Sequence, residues 1–375
     1  MDLGLTEEQQ MLREFARDFL EKECTEAYVR DMEEDATGYL PEVWRKMAEQ
    51  GWMGLMVPEQ YGGAGMGFLD LMVLIEEFGR AIVPGPFITS SVSTIALLEA
   101  ASDAQKQALL PGIASGDKIW TLAHTEPSAR FDAEGVQLTA TRDGDVYVLN
   151  GTKLFIKDSH VADHMVVVAR TGGAGENGVS LFYVDARAPG ITHEPLVTVA
   201  LDRQNAVRFD NVRIPADHLL GREGEAWPVF QRIARQATVL ESIYLVGLSQ
   251  QAFDVTLDYT KEREQFGVKI ATFQAMQHMA ADMITDVDSS RLITYQAAWS
   301  VANGQPDADE DVHVAKAWSS EASRRVVAKA QEMHGGIGFT KDYKIQLYFR
   351  RQKAAELAWG DAEYHRELVA QALGI

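Results

Sequence analysis

Two long stretches of helical periodicity enclose one of β-strand texture, and this order constrains the fold more than any other property of the chain. From about Ile119 come short runs rich in β-branched and aromatic residues: Val136 to Thr141, Val146 to Leu149, Met165 to Arg170, Val179 to Val184 and Val207 to Val212. Asp143-Gly144 and the glycine-rich stretch Thr171 to Gly178 supply hairpin connections between them. Ahead of this region, Thr6 followed by Gln9 predicts a capping box, and Met11, Leu12, Phe15, Phe19 and Leu20 then recur at helical spacing. Further helices are expected at Pro41 to Gln50, Phe68 to Arg80, Ile88 to Glu99 and Asp103 to Ala114. After Gly221-Arg222-Glu223-Gly224 the long helical period returns over roughly 225–262, 272–303, 308–334 and 340–372, which suggests an antiparallel four-helix bundle. The expectation is an α+β chain with an α-helical domain over 1–118, an antiparallel β domain over 119–222 and a bundle over 223–375.

That order excludes a doubly wound sheet and a barrel of alternating strands and helices. Gly173, Gly175 and Gly178 have the spacing of a dinucleotide-binding fingerprint, but the segment after them reads as a strand, so no helix N-terminus is there to cradle a phosphate. The 375 residues carry 35 basic and 55 acidic side chains, a net charge of −20, which disfavours nucleic acid as a partner. Cys24 is the only cysteine, so an internal disulfide framework is excluded and a cytoplasmic location is expected. The start, Met1 to Glu8, has neither a basic nor an apolar leader region, and no 18-residue uncharged apolar run follows, so no membrane association is expected. His160 and His164 flank Asp163 at the spacing of a metal pair, yet they immediately precede a strand and lack a clear third ligand, so no metal is expected. The acidic cluster Asp307 to Asp311 reads as a solvated helix start.

Two segments that interrupt the bundle carry more information. In Tyr259-Thr-Lys-Glu-Arg263-Glu-Gln265-Phe266-Gly267, followed by Phe273-Gln274, Arg263 has the planar permanent charge suited to a pyrophosphate and Phe266 can pack on a cofactor. Taken alone, the segment reads equally as an interhelical turn, with Arg263 in a carboxylate pair and Phe266 in the core. In Gln331-Glu-Met-His334-Gly335-Gly336-Ile-Gly338-Phe339, the glycines allow close backbone approach or a helix C-cap, with His334 structural rather than a base.

These two segments, with Val57-Pro58-Glu59-Gln60-Tyr61-Gly62-Gly63-Ala64-Gly65, Thr125-Glu126-Pro127, Asn150-Gly151-Thr152-Lys153-Leu154-Phe155-Ile156 and Asp210-Asn211-Val212-Arg213-Ile214-Pro215, resemble the acyl-CoA dehydrogenase family in order and spacing over nearly the whole chain. The resemblance implies an α domain, a β domain and a four-helix bundle holding FAD, usually in a tetramer. It also implies α,β-dehydrogenation of an acyl-CoA thioester, in which a carboxylate removes the α-proton and a hydride passes to the flavin. The two positions at which the family carries that carboxylate fall here on Ala237 and Trp359, and neither takes a proton. Glu241, one helical turn beyond Ala237, is the remaining candidate base, and the arginine often found beside the first position is Thr238.

The flavin contacts implied by the family divide in two. Arg263, Gln265, Phe266, Gln274, Gln331, Gly335 and Gly336 match the residues that reach the nucleotide tail of a neighbouring subunit's FAD. Of the residues that seat a chain's own flavin ring, Thr125 remains, while Phe155-Ile156-Lys157 replaces the usual Trp-Ile-Thr, with Phe155 kept as a candidate flavin contact. Arg130-Phe131 stands where a small Gly-Ser is usual, and Lys157 where a hydroxyl would donate. This pattern resembles the partner-type subunit of heteromeric bacterial acyl-CoA dehydrogenases, an α2β2 assembly that includes enzymes of steroid side-chain degradation and passes electrons to an acceptor such as electron-transfer flavoprotein. The alternatives are a self-sufficient homotetramer using Glu241, a flavin-free structural or binding subunit, and a same-fold lyase such as a desulfinase.

Overall fold

The structure is a computed structural model and describes residues 4–375; Met1 to Leu3, part of the segment read for a leader, lie outside the described residues. Six helices open the chain: α1 (Glu7–Glu23), α2 (Glu26–Glu34), α3 (Pro41–Glu49), α4 (Phe68–Arg80), α5 (Phe87–Ala100) and α6 (Asp103–Ala114). The expected capping box is present, with the Gln9 N–H donating to Thr6 Oγ1 and the Thr6 N–H to Gln9 Oε1, both at 3.2 Å. Ser102 and Gln105 repeat it at the start of α6.

Eight strands follow: β1 (Trp120–Ala123), β2 (Thr139–Asp143), β3 (Val146–Lys157), β4 (His164–Arg170), β5 (Val179–Asp185), β6 (Ile191–Leu196), β7 (Gln204–Pro215) and β8 (Leu219–Leu220). They form one sheet in the order β6-β7-β3-β2-β4-β5-β8, with β1 beside β4. The sheet is antiparallel as expected except where β4 meets two of its neighbours: β1 runs parallel to β4 from Trp120 opposite His164 to Ala123 opposite Val167, and Thr139 of β2 pairs in parallel with Arg170. Strand β3 is three times longer than its apolar start suggests. Its polar half stays in the sheet because the buried Lys153 ammonium donates to Glu126 at 2.7 Å and to the His124 carbonyl at 3.1 Å. A register shift between Lys153 and Ile156 against β7 coincides with Phe155 at φ 57°, which leaves that ring half exposed at the rim of a cleft.

The remaining helices are α7 (Trp227–Glu262), α8 (Gln274–Ala302), α9 (Ala308–His334), α10 (Ile345–Leu357) and α11 (Ala362–Ala372). Helix α4 crosses α7 so closely that a Cβ on Gly247 would lie 1.9 Å from the Glu76 carbonyl oxygen, and one on Gly79 2.2 Å from that of Tyr244. Only glycine permits this approach, which fixes the part of α7 carrying Glu241 against the N-terminal helices. The fourth helical run, expected to be continuous over 340–372, is broken. Trp359 and Gly360 take φ values of 61° and 101°, and Asp361 starts α11 by capping the Tyr364 N–H. Buried Lys316 on α9 makes the break stable by donating to the Ala355 and Glu356 carbonyls at the end of α10. Between α7 and α8, β9 (Glu264–Gln265) and β10 (Val268–Lys269) form a small hairpin turning at Phe266 and Gly267. Among the described residues no helix is long and apolar enough to cross a membrane.

Candidate functional site

A cavity of about 520 Å³ opens between the sheet and the helices, its walls supplied by α5, the loop after β1, the end of β3, the loop after β6, α7 and the end of α10. Thr125, Phe155 and Glu241 from the sequence reading all line it, and so does Trp359. Ala237 is fully buried in α7, and the Thr238 hydroxyl is turned back on the Ala234 carbonyl at 2.7 Å.

Trp359 does more than vacate a carboxylate position. Its indole lies on the imidazole of His124 with ring centres 4.1 Å apart and planes 6° from parallel, and Phe230 approaches the same imidazole at 5.8 Å. Phe131, packed on Tyr364 at 5.1 Å, extends this aromatic wall. Behind it lies a second cavity of about 680 Å³ that shares only His124, Phe131 and Trp359 with the first. Burial, reinforced by the charge on Lys153, pushes the His124 pKa down to about 3, so the stacked ring is neutral. The carbonyl of Trp359 is held by His365 Nε2 at 3.0 Å, and His365 Nδ1 meets His313 Nδ1 at 3.0 Å. Burial and the neighbouring His313 and Lys316 push His365 to about 3. A neutral His365 therefore donates from Nε2 and accepts at Nδ1, an assignment that follows from the partners.

Glu241 faces the first cavity, but its carboxylate accepts from Lys157 Nζ at 2.7 Å, with the glutamate side chain 4% and the lysine side chain 28% exposed. Burial opposes the charge on Lys157; the carboxylates of Glu241 and Asp202 outweigh it and hold the ammonium above its ordinary pKa. Lys157 is thus bound to Glu241 rather than free to reach into the cavity. Thr125 sits half-buried with its hydroxyl 3.0 Å from His124 Nε2.

The second group of sequence-predicted residues gathers elsewhere. Tyr259 stacks on His334 at 4.3 Å and donates to its carbonyl at 3.4 Å, which brings the Arg263 segment and the Gly335-Gly336 turn to one end of the bundle. Arg263 follows the last residue of continuous α7, 22 residues beyond Glu241 and about 33 Å farther along the helix. Arg263, Gln265, Gln274, Gly335 and Gly336 are exposed, and Phe266 is 92% exposed, so the alternative of a core phenylalanine does not hold. Among the described residues the Arg263 guanidinium has no ion pair or hydrogen bond, which also removes the alternative of a carboxylate pair and fits a phosphate ligand. Gln331 differs: it is buried, and its amide donates to the Gly338 carbonyl at 3.3 Å. His334 is buried with Nδ1 2.7 Å from the Ala330 carbonyl.

Among the described residues no group of three or more His, Cys, Asp or Glu side chains is arranged to hold a metal ion. His164 stacks on Trp120 at 4.7 Å, and His160 hydrogen-bonds the Thr37 carbonyl at 3.2 Å. The residues that sequence reasoning missed are His124, Lys316, His313 and His365. They act through contacts between distant segments, and no local pattern marks them.

Three domain models match the chain in succession: the acyl-CoA dehydrogenase N-terminal domain over residues 6–117, the middle domain over 121–212 and the C-terminal domain over 226–374. The probable acyl-CoA dehydrogenase YngJ of Bacillus subtilis is 35% identical over 382 residues, covering 100% of both chains. The caffeyl-CoA reductase-Etf complex subunit CarC of Acetobacterium woodii is 31% identical, covering 97% of this chain and 98% of CarC. Among solved structures, the ChsE4-ChsE5 complex from Mycobacterium tuberculosis superimposes with a TM-score of 0.91 at 28% identity, covering 100% of this chain and 99% of that one.

Proposed function

The chain belongs to the acyl-CoA dehydrogenase family, whose members are FAD flavoproteins, and on that premise we propose that it works as the non-abstracting subunit of a heteromeric acyl-CoA dehydrogenase. In this reading the complex dehydrogenates an acyl-CoA thioester at its α,β bond. A second family member contributes the carboxylate base, and the present chain contributes scaffold and contacts to the partner's FAD. The observation that carries the reading is the state of the base positions: Ala237 is inert, Trp359 is stacked on His124, and Glu241 is bound to Lys157. A carboxylate whose oxygen already accepts from an ammonium at 2.7 Å is engaged at the wall of the cleft rather than free to approach an α-proton.

FAD, when bound, supplies a hydride acceptor. Of this chain's residues, Arg263 would hold pyrophosphate, with Gln265, Phe266, Gln274, Gly335 and Gly336 forming the surrounding surface and Gln331 bracing the turn from within. Their position about 33 Å along α7 from Glu241 supports service to a neighbouring subunit rather than to this chain's own cleft. At the cleft, Phe155 and Thr125 fit a ring-bearing ligand, whereas Lys157 offers no hydroxyl and is already engaged. An α2β2 assembly and an electron acceptor of the electron-transferring flavoprotein type follow from the same reading, supported by one relative named as a subunit of an Etf complex and by a solved complex of two differently named chains.

The test is the visible spectrum of the purified full chain. Expressed alone it is expected to be nearly colourless, and yellow when co-expressed with a family member that has a carboxylate at the position of Ala237 or Trp359. Full flavin occupancy of the isolated chain, with bleaching by acyl-CoA that Glu241→Gln abolishes, would establish the self-sufficient alternative instead.

A further inference from the structure

Beside the 520 Å³ cavity lies a small one of about 70 Å³, and Ile88, Thr89, Lys157, Glu241 and Ala354 line both. Its remaining wall includes Arg351 of α10. Three basic side chains are buried among the described residues. Lys153 is paired with Glu126, Lys316 donates to two carbonyls at a helix end, and Arg351, 8% exposed, has neither a hydrogen bond nor an ion pair. Its Nε is fully occluded and without a partner. The adjacent Arg350 shows that nothing in the local chain prevents pairing, since it binds Glu33 at 2.8 Å.

The other charged groups facing this small cavity are already engaged. Lys157 and Glu241 hold each other, and Arg203 donates to the carbonyls of Met32, Glu33, Asp35 and Leu201. Asp202 accepts from Thr198 and Gln204. Asp158 accepts from Thr89 at 3.3 Å, and burial followed by the charge on Asp202 pushes its carboxyl up to about 7, so near neutrality it supplies only part of a counter-charge. A buried guanidinium with unused donors is costly unless something anionic meets it.

We propose that Arg351 anchors a carboxylate-binding subsite: a ligand with a carboxylate head in the 70 Å³ cavity and an apolar body extending past the Lys157–Glu241 pair into the 520 Å³ cavity. The planar fork suits a carboxylate, the small cavity holds a group of that size, and Ile88, Val92, Leu122, Ile156 and Leu357 give the larger space an apolar lining. The carboxylate comes either from a free acid or from the far end of an acyl thioester. The inference stands apart from the partner-subunit reading, because it concerns binding to this chain and not the supply of a base.

Calorimetric titration of the full chain tests it with octanoate, octan-1-ol, octanoyl-CoA and octanedioyl-CoA as probes. Octanoate or octanedioyl-CoA is expected to bind about tenfold or more tightly than its uncharged-end counterpart, and Arg351→Leu is expected to erase that difference while leaving octan-1-ol or octanoyl-CoA unaffected. Loss of octanoate binding assigns the subsite to a free acid, and loss confined to octanedioyl-CoA assigns it to a thioester. If Arg351→Leu does not fold, Arg351→Lys replaces the fork by a point charge and is expected to weaken the carboxylate probes selectively. Equal binding of charged and uncharged ends, or carboxylate binding unchanged in the folded variant, overturns the proposal.

Discussion

The carboxylate of Glu241 and the ammonium of Lys157 meet at 2.7 Å across the interface between α7 and the end of β3, so the two residues that most complicate the sequence reading turn out to neutralise each other. Lys157 occupies a position where the family resemblance implies a hydroxyl, and Glu241 lies one turn from a vacant base position. Each is unusual separately; together they form one buried pair that ties the bundle to the sheet.

The pair is expected to behave as a unit under mutation. Glu241→Gln leaves an ammonium without its counter-charge and Lys157→Met strands a buried carboxylate, and each is expected to cost about 1–3 kcal/mol, the lower part of the range reflecting the partial exposure of Lys157. The double variant is expected to cost less than the two together, with a coupling of about 1–2 kcal/mol in a denaturant-unfolding cycle. Strict additivity would show that the contact contributes nothing to folding.

The stack of Trp359 on His124 leads to a second expectation. Trp359→Ala removes an indole that packs at 4.1 Å on a neutral imidazole and separates cavities of about 520 and 680 Å³. Because the side chain is only half-buried, the loss is expected to be about 2 kcal/mol, below the value for a core tryptophan. Trp359→Gly is expected to lose less than Trp359→Ala, since φ of 61° suits glycine. Thermal melting of the two variants checks the order.

How far the sequence revealed this site depends on the distance over which each feature is determined. The capping box of Thr6 and Gln9, the turn at Asp143-Gly144 and the hairpin at Gly173 to Gly178 are set by neighbours within a few residues, and all three were readable. The vacancy at Ala237 and Trp359 was readable too, because it needs only residue identity at a spacing. What Trp359 does instead was not, since it depends on His124 from the loop after β1, Lys316 from α9 and His365 from α11 converging on a helix break. Periodicity suggested one helix over 340–372 because Leu357 and Ala362 keep good helix formers on both sides of a break made by tertiary contacts. The polar half of β3 was missed for a related reason: Lys153 is tolerated in a buried strand only because Glu126 comes from outside it.

Asp158 predicts a pH dependence of stability. In the folded protein its carboxyl titrates near pH 7, raised by burial and then by Asp202 against the opposing charges of Lys157 and Arg351; its ordinary value is 3.8. Between those values the folded state holds a proton that the unfolded chain has released, so this contribution to stability falls as pH rises through the window and levels off above pH 7. Asp158→Asn keeps an acceptor for Thr89 and tolerates the φ of 56°. The variant is expected to be more stable than the parent by about 2–4 kcal/mol at pH 8, with the difference shrinking toward pH 5. Identical melting curves at pH 8 would show that the charge is not penalised.

The Arg263 hairpin separates a role in cofactor holding from a role in folding. Arg263 is exposed and without a partner among the described residues, Phe266 is 92% exposed, and the hairpin holds itself through Glu264 paired with Lys269 at 2.8 Å and the turn at Gly267. Arg263→Ala is therefore expected to change the stability of the chain by no more than about 0.5 kcal/mol. In the co-expressed complex the same substitution removes a permanent charge from the proposed pyrophosphate site, and the flavin-to-protein ratio is expected to drop severalfold, with Arg263→Lys recovering only part of it because a point charge lacks the bidentate fork. Absorbance at the flavin band after gel filtration reads the ratio directly. Undiminished flavin in a complex of unchanged stability would remove Arg263 from the site, whereas flavin loss accompanied by unfolding would place its effect in the scaffold.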